Sequence, residues 1–435
     1  MISVEPRRYI WDPQNGQWQI VSWMCAVLAF IQLSPYFLWE TFMNGALLYI
    51  AGVGWGSAYM VITIAVMIMC ILASKRSFFR GELLCSLCLF LLAVYMCLLK
   101  RIDTAASVKD MFSLLLRYVS ILLFMLLPWN VQKHALVVFS SIFAISLVPS
   151  LLYWVLSQLG IQLPFTELES KAASKTAAGV YYEMYPGALI TKSRQGFLYY
   201  RLCGVYDEPG VVGTIGALLL AADGYRFKKS WRNGVLLLAG VLTASLAFYA
   251  ICSIYFICWA IKKNAVKAVG LMFSLLVLFM IFMSVDFTNP NLLHFQHRLR
   301  VVDGKVQGDN RTTGGFDESY EEFWEDDMLI QLFGNGAGAA NSNENMAGGA
   351  SYKIVIYDYG IVGLAAILAW IILTVLYLYG GAQCWRTAAL SLVFLASIYQ
   401  RPDVFNMSYM IVLLGGSAGF AIEKQYPQKR ITYAG

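Results

Sequence analysis

The boundary between a polar and an apolar part of this chain reads Tyr200-Arg201-Leu202-Cys203-Gly204-Val205-Tyr206-Asp207-Glu208-Pro209-Gly210. An arginine and two carboxylates stand there beside glycines and a proline, directly before an apolar segment at residues 209–224. Charged side chains at the edge of a membrane are costly unless they meet a ligand, a partner or water. This stretch is therefore our first candidate functional region, and the apolar segment behind it is a predicted membrane span.

The composition is typical of a protein embedded in a membrane. Of the 435 residues, 59% are hydrophobic and 13% are charged, whereas a soluble domain carries roughly 25% charged residues. The apolar residues come in runs close to the roughly 20 residues that cross a bilayer as a helix. The sequence predicts an all-α polytopic membrane protein, with residues 1–435 as a single integral membrane domain. Its twelve predicted spans are 18–38, 45–73, 82–99, 110–127, 133–157, 209–224, 232–243, 244–261, 266–285, 353–379, 387–399 and 408–422.

The positions of Lys and Arg orient these spans. Short basic segments alternate with polar segments that hold fewer cations, and the basic ones are expected on the cytoplasmic side. Both termini are then cytoplasmic. Basic clusters at residues 226–232 and 262–267 both belong to that side, so the segment between them must cross an even number of times. We therefore divide residues 232–261 near Thr243-Ala244-Ser245 into two short helices, which either cross the membrane or form a re-entrant hairpin. The turn with Lys100, Arg101 and Lys109 is an exception, because it falls on the outside.

Two long hydrophilic loops follow on the external, periplasmic side, at residues 160–208 and 286–352. Loops of this length in a compact protein usually carry function. In the second loop, the spacing of aromatic and acidic residues predicts one helix at about residues 317–333. That helix is expected to stop at Gly334-Asn335-Gly336-Ala337-Gly338.

The end of the first loop resembles the signature of a known family. Arg201, Gly204, Glu208, Pro209 and Gly213 match the pattern R-x-x-G-x-x-x-E-P-x-x-x-G. In the superfamily of Wzy-type O-antigen polymerases and O-antigen ligases, a long external loop ends in this pattern and enters a transmembrane helix. The resemblance implies a GT-C-type membrane fold in the bacterial inner membrane. It also implies a glycosyltransferase of lipopolysaccharide or exopolysaccharide synthesis.

The same resemblance implies the substrates and partners. Donor and acceptor would both be oligosaccharides linked to undecaprenyl diphosphate, and undecaprenyl diphosphate would leave when the acceptor hydroxyl attacks. Besides the lipid bilayer, a chain-length regulator protein is a candidate partner, whereas nucleic acid is not. No cofactor and no metal are expected, since no paired histidines or Cys-x-x-Cys pairs have metal-ligand spacing outside the apolar runs. Glu325-Asp326-Asp327 could bind a divalent cation, but we interpret it as the acidic face of a helix.

Arginines are the candidate diphosphate ligands, because a guanidinium can hold phosphate oxygens through two parallel hydrogen bonds. Arg201 is the first of them, and a salt bridge with Asp207 or Glu208 is its alternative role. The family also carries an arginine in the second loop, before a G-x-G stretch that Gly334-Asn335-Gly336 matches. Arg311 is the closer match, with Arg300 or Arg298 as the other choices, and a solvated loop arginine is the alternative for each.

Other candidates come from the residue chemistry. Asp207 and Glu208 could act as a catalytic general base or orient an arginine, or they could only stabilise the start of the helix near Pro209. Tyr352 and Lys353 could bind sugar or phosphate, or anchor a helix at the membrane surface. Arg117 and Asp358 are charged residues inside apolar runs. Such residues line a cavity or pair with another buried group.

Two other functions are weighed against a polymerase. O-antigen ligases carry a histidine about eleven residues before the glycine that corresponds to Gly360, whereas this chain has Gly349 there. This difference argues against a ligase, which would transfer the lipid-linked glycan to lipid A core. A transporter or flippase of lipid-linked sugars is expected to contain repeated halves, and the sequence shows no internal repeat.

Overall fold

The computed structural model of the chain describes residues 17–34, 49–50, 53–73, 78–99, 105–161, 163–169, 180–193, 201–206, 208–228, 230–288, 293, 296–297, 299–302, 305–306, 312–341, 351–380 and 384–425. It is mostly helical. The first helices are α1 (Gln17–Leu33), α2 (Trp55–Ala73), α3 (Arg80–Leu98), α4 (Ala105–Met125), α5 (Trp129–Gln158) and α6 (Pro209–Ala222). The next are α7 (Trp231–Leu242), α8 (Leu246–Lys263), α9 (Ala265–Ser284), α10 (Gly314–Phe323) and α11 (Met328–Phe333). The last are α12 (Tyr352–Tyr379), α13 (Trp385–Ile398), α14 (Met407–Met410), a π-helical turn (Ile411–Gly415) and α15 (Gly416–Gln425).

Five helices of the described chain are long and apolar enough to cross a membrane, namely α2, α3, α5, α8 and α12. At most half of the residues in each of these spans are buried inside the protein. Large apolar side chains on several helices instead point outward; Leu72, Leu98 and Phe273 are examples, with exposed fractions of 72%, 79% and 67%. Such surface is unstable in water and matches lipid. These features indicate a multi-pass helical membrane protein.

A helix lies in each of the twelve predicted segments, but the second begins later than predicted. α2 starts at Trp55 rather than near residue 45. The preceding residues form a short antiparallel pair, β1 (Tyr49–Ile50) and β2 (Val53–Gly54). Glycines at positions 52, 54 and 56 disfavour helix in this part of the apolar run.

Helix α6 forms the centre of the bundle. Every one of its residues from Pro209 to Ala222 is buried, and its surface is made of small and aliphatic side chains. It packs against α7, α8, α13 and the π-helical turn. A helix that is apolar all round is expected inside a large core or bundle. The polar stretch before α6 is therefore attached to a helix that is buried along its whole length.

The predicted division of residues 232–261 is confirmed. α7 ends at Leu242 and α8 begins at Leu246, so the break falls at Thr243-Ala244-Ser245. Ala244 takes a left-handed conformation with φ of 45°, which is uncommon for a residue with a side chain. The Thr243 side chain is buried and donates to the Gly240 carbonyl oxygen over 2.6 Å.

The expectation of an all-α protein is wrong in the first loop, which contains a four-stranded antiparallel sheet. Its strands are β3 (Thr166–Glu169), β4 (Val180–Tyr185), β5 (Ala188–Ser193) and β6 (Arg201–Gly204), paired in that order. A two-residue turn, Pro186-Gly187, joins β4 to β5, since Tyr185 pairs with Ala188. Tyr185 stacks on Tyr153 of α5 with ring centroids 4.6 Å apart, so the sheet rests on the end of that helix.

The single helix predicted at residues 317–333 is also corrected, because the structure divides it into α10 and α11. The turn between them is held by Gln331, whose side-chain amide donates to the carbonyl oxygens of Trp324 and Asp326. Phe316 and Phe323 of α10 are buried. Leu329 and Phe333 of α11 are instead 64% and 41% exposed. A second antiparallel pair in this loop joins β7 (Val301–Val302) to β8 (Lys305–Val306).

Helix α12 is kinked at Gly360, where φ is 70° and the helical pattern is interrupted. A Cβ atom at this position would lie 2.0 Å from the Leu332 carbonyl oxygen, so only glycine fits. The segment after α11 supplies partners to the kink: the amides of Asn335 and Gly336 donate to the carbonyls of Tyr357 and Asp358. Asp358 is buried, and its carboxylate accepts hydrogen bonds from the amides of residues 338 and 340. This charge inside an apolar run therefore fixes the second loop onto α12.

Polar side chains gather at the two opposite ends of the bundle. α6 runs from Glu208, just before its first residue, to the turn that holds Arg226. α13 connects the same two ends, and so does the segment formed by α14, the π-helical turn and α15. The turn between α13 and α14 contacts Glu208 through Arg401, whereas Arg386 of α13 and Glu423 of α15 meet at the opposite end. We name the end with Glu208 the loop end, and the end with Glu423 the basic end.

Candidate functional site

A turn at residues 399–403, between α13 and α14, brings together three of the residues selected from the sequence. Arg401 of this turn bonds Glu208, Asp403 bonds Arg117, and Tyr399 stacks on Tyr352. The selected residues come from three separate segments of the chain. Their meeting at one short turn makes the loop end the candidate functional site.

The pair of Glu208 and Arg401 is the strongest contact of the site. Nη2 of Arg401 donates to Oε1 of Glu208. The Arg401 side chain is only 16% exposed and the Glu208 side chain only 25%. Glu208 precedes α6 as its N-cap, yet its side chain accepts no capping hydrogen bond from the helix. Charge-assisted hydrogen bonds of this kind are among the strong ones in proteins. The carboxylate is therefore directed at an arginine rather than at the helix terminus.

Arg117 forms a weaker pair in the same turn. Its Nη1 atom lies 3.5 Å from Oδ2 of Asp403, and the two side chains are 40% and 73% exposed. An exposed ion pair contributes roughly 0–1 kcal/mol at most. The neighbouring residues give the turn its fixed position, because the ring of Phe405 packs on Tyr118 with centroids 4.9 Å apart.

Tyr352 and Lys353 begin α12 and face different partners. The Tyr352 ring stacks on Tyr399 at a centroid distance of 5.3 Å. The Lys353 ammonium lies 3.2 Å from Oδ1 of Asp317 on α10 and 5.3 Å from the centroid of the Tyr320 ring. Burial raises the pKa of Tyr320, which keeps this phenol neutral beneath the cation. Tyr352 thus belongs to the site, whereas Lys353 holds α10 to α12.

Arg201 lies on β6, the last strand of the sheet, and contacts the break between α7 and α8. Its Nε atom donates to the backbone oxygen of Thr243 over 2.9 Å. Gly213 allows α6 to approach the same break, because a Cβ atom there would lie 2.5 Å from Cβ of Ser245. The first loop, α6 and the break therefore form one unit at the loop end.

The five positions of the sequence pattern all fall within this unit. Arg201 and Gly204 begin and end β6, Glu208 and Pro209 start α6, and Gly213 lies one turn further along. Tyr206, between strand and helix, is buried and shares a hydrogen bond of 2.7 Å with Ser146 of α5. The pattern thus describes a strand that enters a buried helix through a short, tightly packed turn.

The second-loop candidates are only partly described. Arg300 is exposed, and within the described residues its side chain forms neither a hydrogen bond nor an ion pair. Nearby, Gln296 donates to the carbonyls of Phe282, Met283 and Val285 at the end of α9. Arg298, Arg311 and Asp207 lie outside the described residues, so the roles expected of them stay predictions.

Sequence reasoning missed Arg401 and Thr243 as members of the site. Thr243 contributes only a backbone oxygen, which no residue type reveals. Arg401 had a usable signal, because Gln400-Arg401-Pro402-Asp403 interrupts two apolar runs with opposite charges. A cation at that depth points to a buried pair or a ligand.

Metal and disulfide chemistry has no described site. Within the described residues, no group of three or more His, Cys, Asp or Glu side chains lies close enough to hold a metal ion. The cysteines are free, and Cys203 is buried with its sulfur 3.0 Å from Oγ1 of Thr191.

Comparison of this chain with protein families, with curated proteins and with solved structures finds no match.

Proposed function

We propose that this protein is a membrane glycosyltransferase that polymerises oligosaccharide repeat units carried on undecaprenyl diphosphate, producing O-antigen or a related surface polysaccharide. The observation that carries the proposal is the convergence of Glu208, Arg117 and Tyr352 on the turn at residues 399–403. These residues were selected from the sequence separately. The cluster contains two arginines and two carboxylates, and its Glu208 follows Arg201 in the same sequence pattern. A charged site at the end where the hydrophilic loops attach suits a charged, lipid-linked sugar.

The chemistry follows from the substrate. A hydroxyl oxygen of the acceptor sugar attacks the anomeric carbon of the donor, a new C–O bond forms, and the bond from that carbon to the diphosphate breaks. Undecaprenyl diphosphate departs with the electron pair, and the hydroxyl proton passes to a base. Arginines stabilise the growing charge on the leaving oxygen, and electrostatic stabilisation of this kind often contributes more to catalysis than any other single effect. Glu208 or Asp207 is the proposed base, with Arg401 fixing the position of Glu208.

The proposal includes the finer topology. The loop end faces the periplasm, the basic end faces the cytoplasm, and both termini are cytoplasmic across about twelve spans. Lys133, Arg226 and Arg386, all predicted cytoplasmic, do meet at Glu423, and this supports a common side for them. Excess Lys and Arg mark the cytoplasmic side of membrane proteins.

This topology predicts the labelling of single cysteines placed in a cysteine-free background. A cysteine at position 263 should resist a membrane-impermeant thiol reagent in intact cells, because Lys262 and Lys263 end α8 on the cytoplasmic side. A cysteine at position 167, on an edge strand of the sheet, should react. If position 263 is labelled from outside and position 167 is protected, the proposed orientation is wrong and the protein lies the other way round in the membrane.

Deletion of the gene followed by a gel of surface polysaccharide tests the function itself. A polymerase mutant should retain lipid A core capped by a single repeat unit and should lose the ladder of longer chains. Complete loss of capped lipid, with lipid-linked repeats accumulating, would instead indicate a ligase or a flippase. An unchanged ladder in a strain without a second polymerase would contradict the proposal.

A further inference from the structure

The basic end of the bundle carries more positive than negative charge in a partly buried space. Four cations and two carboxylates interact there among the described residues, which leaves a net charge of +2. The cations come from α5, from the turn after α6, from α7 and from α13. They are Lys133, Arg226, Arg232 and Arg386, and the carboxylates belong to Asp223 and Glu423.

One carboxylate is shared by three of these cations. Nη1 of Arg226 lies 2.6 Å from Oε1 of Glu423, and Nη2 bonds the other oxygen, so this arginine occupies both. Nη1 of Arg386 is 3.3 Å from Oε2, and Nζ of Lys133 is 4.0 Å from Oε1. Arg226 is thus neutralised by Glu423. Arg386 and Lys133 make longer contacts with the same carboxylate, whose two oxygens are already bonded to Arg226.

The second carboxylate does not make up the difference. Asp223 accepts a hydrogen bond of 2.6 Å from the side-chain amide of Asn233. Arg232 is satisfied by neutral acceptors, since its Nη1 atom donates to the Val137 carbonyl and to Oγ of Ser141. Asp223 also attracts Arg232 electrostatically, so these two charges offset each other and the excess positive charge rests on Arg386 and Lys133.

The surroundings of this charge are typical of the edge of a bilayer. The Arg386 guanidinium lies 5.9 Å from the centroids of both the Trp385 and the Phe420 rings. Trp231, at the start of α7, is 58% exposed. Tryptophan is enriched at the interface between membrane and water. Exposed fractions of 38% for Arg386 and 22% for Lys133 leave both cations reachable from that interface.

We propose that the basic end binds the phosphate of an anionic phospholipid headgroup, with Arg386 and Lys133 as its ligands. The ion pair between Glu423 and Arg226 fixes the position of the site, and Trp385 lies beside the headgroup. A guanidinium suits phosphate oxygens, and basic pockets between membrane helices bind anionic headgroups. A lipid is favoured over free phosphate because acyl chains can lie along the exposed apolar helices. This inference does not depend on the glycosyltransferase proposal.

Binding of lipid to the purified full-length protein tests the site. In detergent, we expect phosphatidylglycerol, but not phosphatidylcholine, to remain bound in native mass spectrometry and to raise the unfolding temperature. Arg386→Gln and Lys133→Gln should each weaken phosphatidylglycerol binding about fivefold, and the double variant more than tenfold. Inorganic phosphate alone should have no effect.

A matched control separates the site from general surface charge. Lys263→Gln removes one cation predicted on the same side, but Lys263 lies over the Trp259 ring, 4.2 Å from its centroid, and not in the cluster. It should bind phosphatidylglycerol like the wild type. Equal binding of the two lipids, an equal loss in Lys263→Gln, or saturation by inorganic phosphate would each overturn the proposal. If Arg386→Gln does not fold, Lys133→Gln carries the same test, since its 4.0 Å ion pair with Glu423 is longer than those of Arg226 and Arg386.

Discussion

Replacing Arg401 with alanine is expected to remove the polysaccharide ladder and to lower the unfolding temperature of the purified protein. The change leaves the Glu208 carboxylate without its partner from the turn at residues 399–403. A hydrogen bond to a charged group contributes about 1.5–3 kcal/mol, and the low exposure of this pair favours the upper part of that range. Because Glu208 directly precedes α6, its displacement should also disturb the entry to this fully buried helix.

Arg117 provides a matched control for this experiment. It is also an arginine paired with a carboxylate at the loop end, and its partner Asp403 lies two residues from Arg401. Its pair is exposed, so Arg117→Ala should change the free energy of unfolding by about 0–1 kcal/mol. Equal destabilisation by the two substitutions would contradict the distinction between a partly buried and an exposed pair.

A positioning role for Arg401 can be separated from a purely structural one. Arg401→Lys keeps the charge and much of the packing but loses the planar donor geometry that fixes the Glu208 carboxylate. We expect this variant to reach the membrane in normal amounts and to produce shorter chains. A full ladder from Arg401→Ala at wild-type protein levels would exclude Arg401 from the catalytic arrangement.

The helices could be predicted because membrane spans are determined locally, by the length of an apolar run and by flanking charge. The break at residues 243–245 is the clearest case. No glycine or proline marks it, and it followed only from counting crossings between two basic clusters. The structure ends α7 and begins α8 at that point.

The sheet could have been predicted from residues 180–193 but was not. Tyrosine, valine and isoleucine stand there on both sides of Pro186-Gly187, which is a recognised pattern for two strands and a turn. The division between α10 and α11 had no such signal. It depends on Gln331 reaching back to two carbonyls, a tertiary contact that helical periodicity does not contain.

The individual site residues could be selected from the sequence, but their arrangement could not. Glu208 and Arg117 were notable because charges beside or within apolar runs are costly. Glu208 and Arg401, however, are 193 residues apart, and nothing local specifies which helix ends are neighbours. That information arises from the packing of α6 against α13.

Replacing Arg201 with alanine should have an equally large effect on activity but a smaller one on stability. In the proposed reaction, its guanidinium holds the departing diphosphate mainly in the transition state. Removing one such donor costs about 2.7–4 kcal/mol, which is roughly a hundred- to thousand-fold in rate. Arg201→Lys should also be strongly impaired, because lysine keeps the charge but cannot reproduce the Nε bond to the Thr243 carbonyl. Gel analysis of chain length, with membrane levels of each variant, measures the effect.

A diphosphate carries more charge than one arginine can hold in a partly dry site, so a second arginine is expected from the other loop. Arg311 is the first choice, and Arg300 or Arg298 the others. Each should be changed to alanine alone and together with Arg201. If two arginines act as one unit on the same leaving group, the double variant should lose less activity than the product of the single losses. The Arg300 side chain is exposed, so a loss of activity in its variant at normal membrane levels would favour a contact with substrate. A wild-type ladder from all three single variants would exclude the second arginine, while a wild-type ladder from Arg201→Ala would exclude the first.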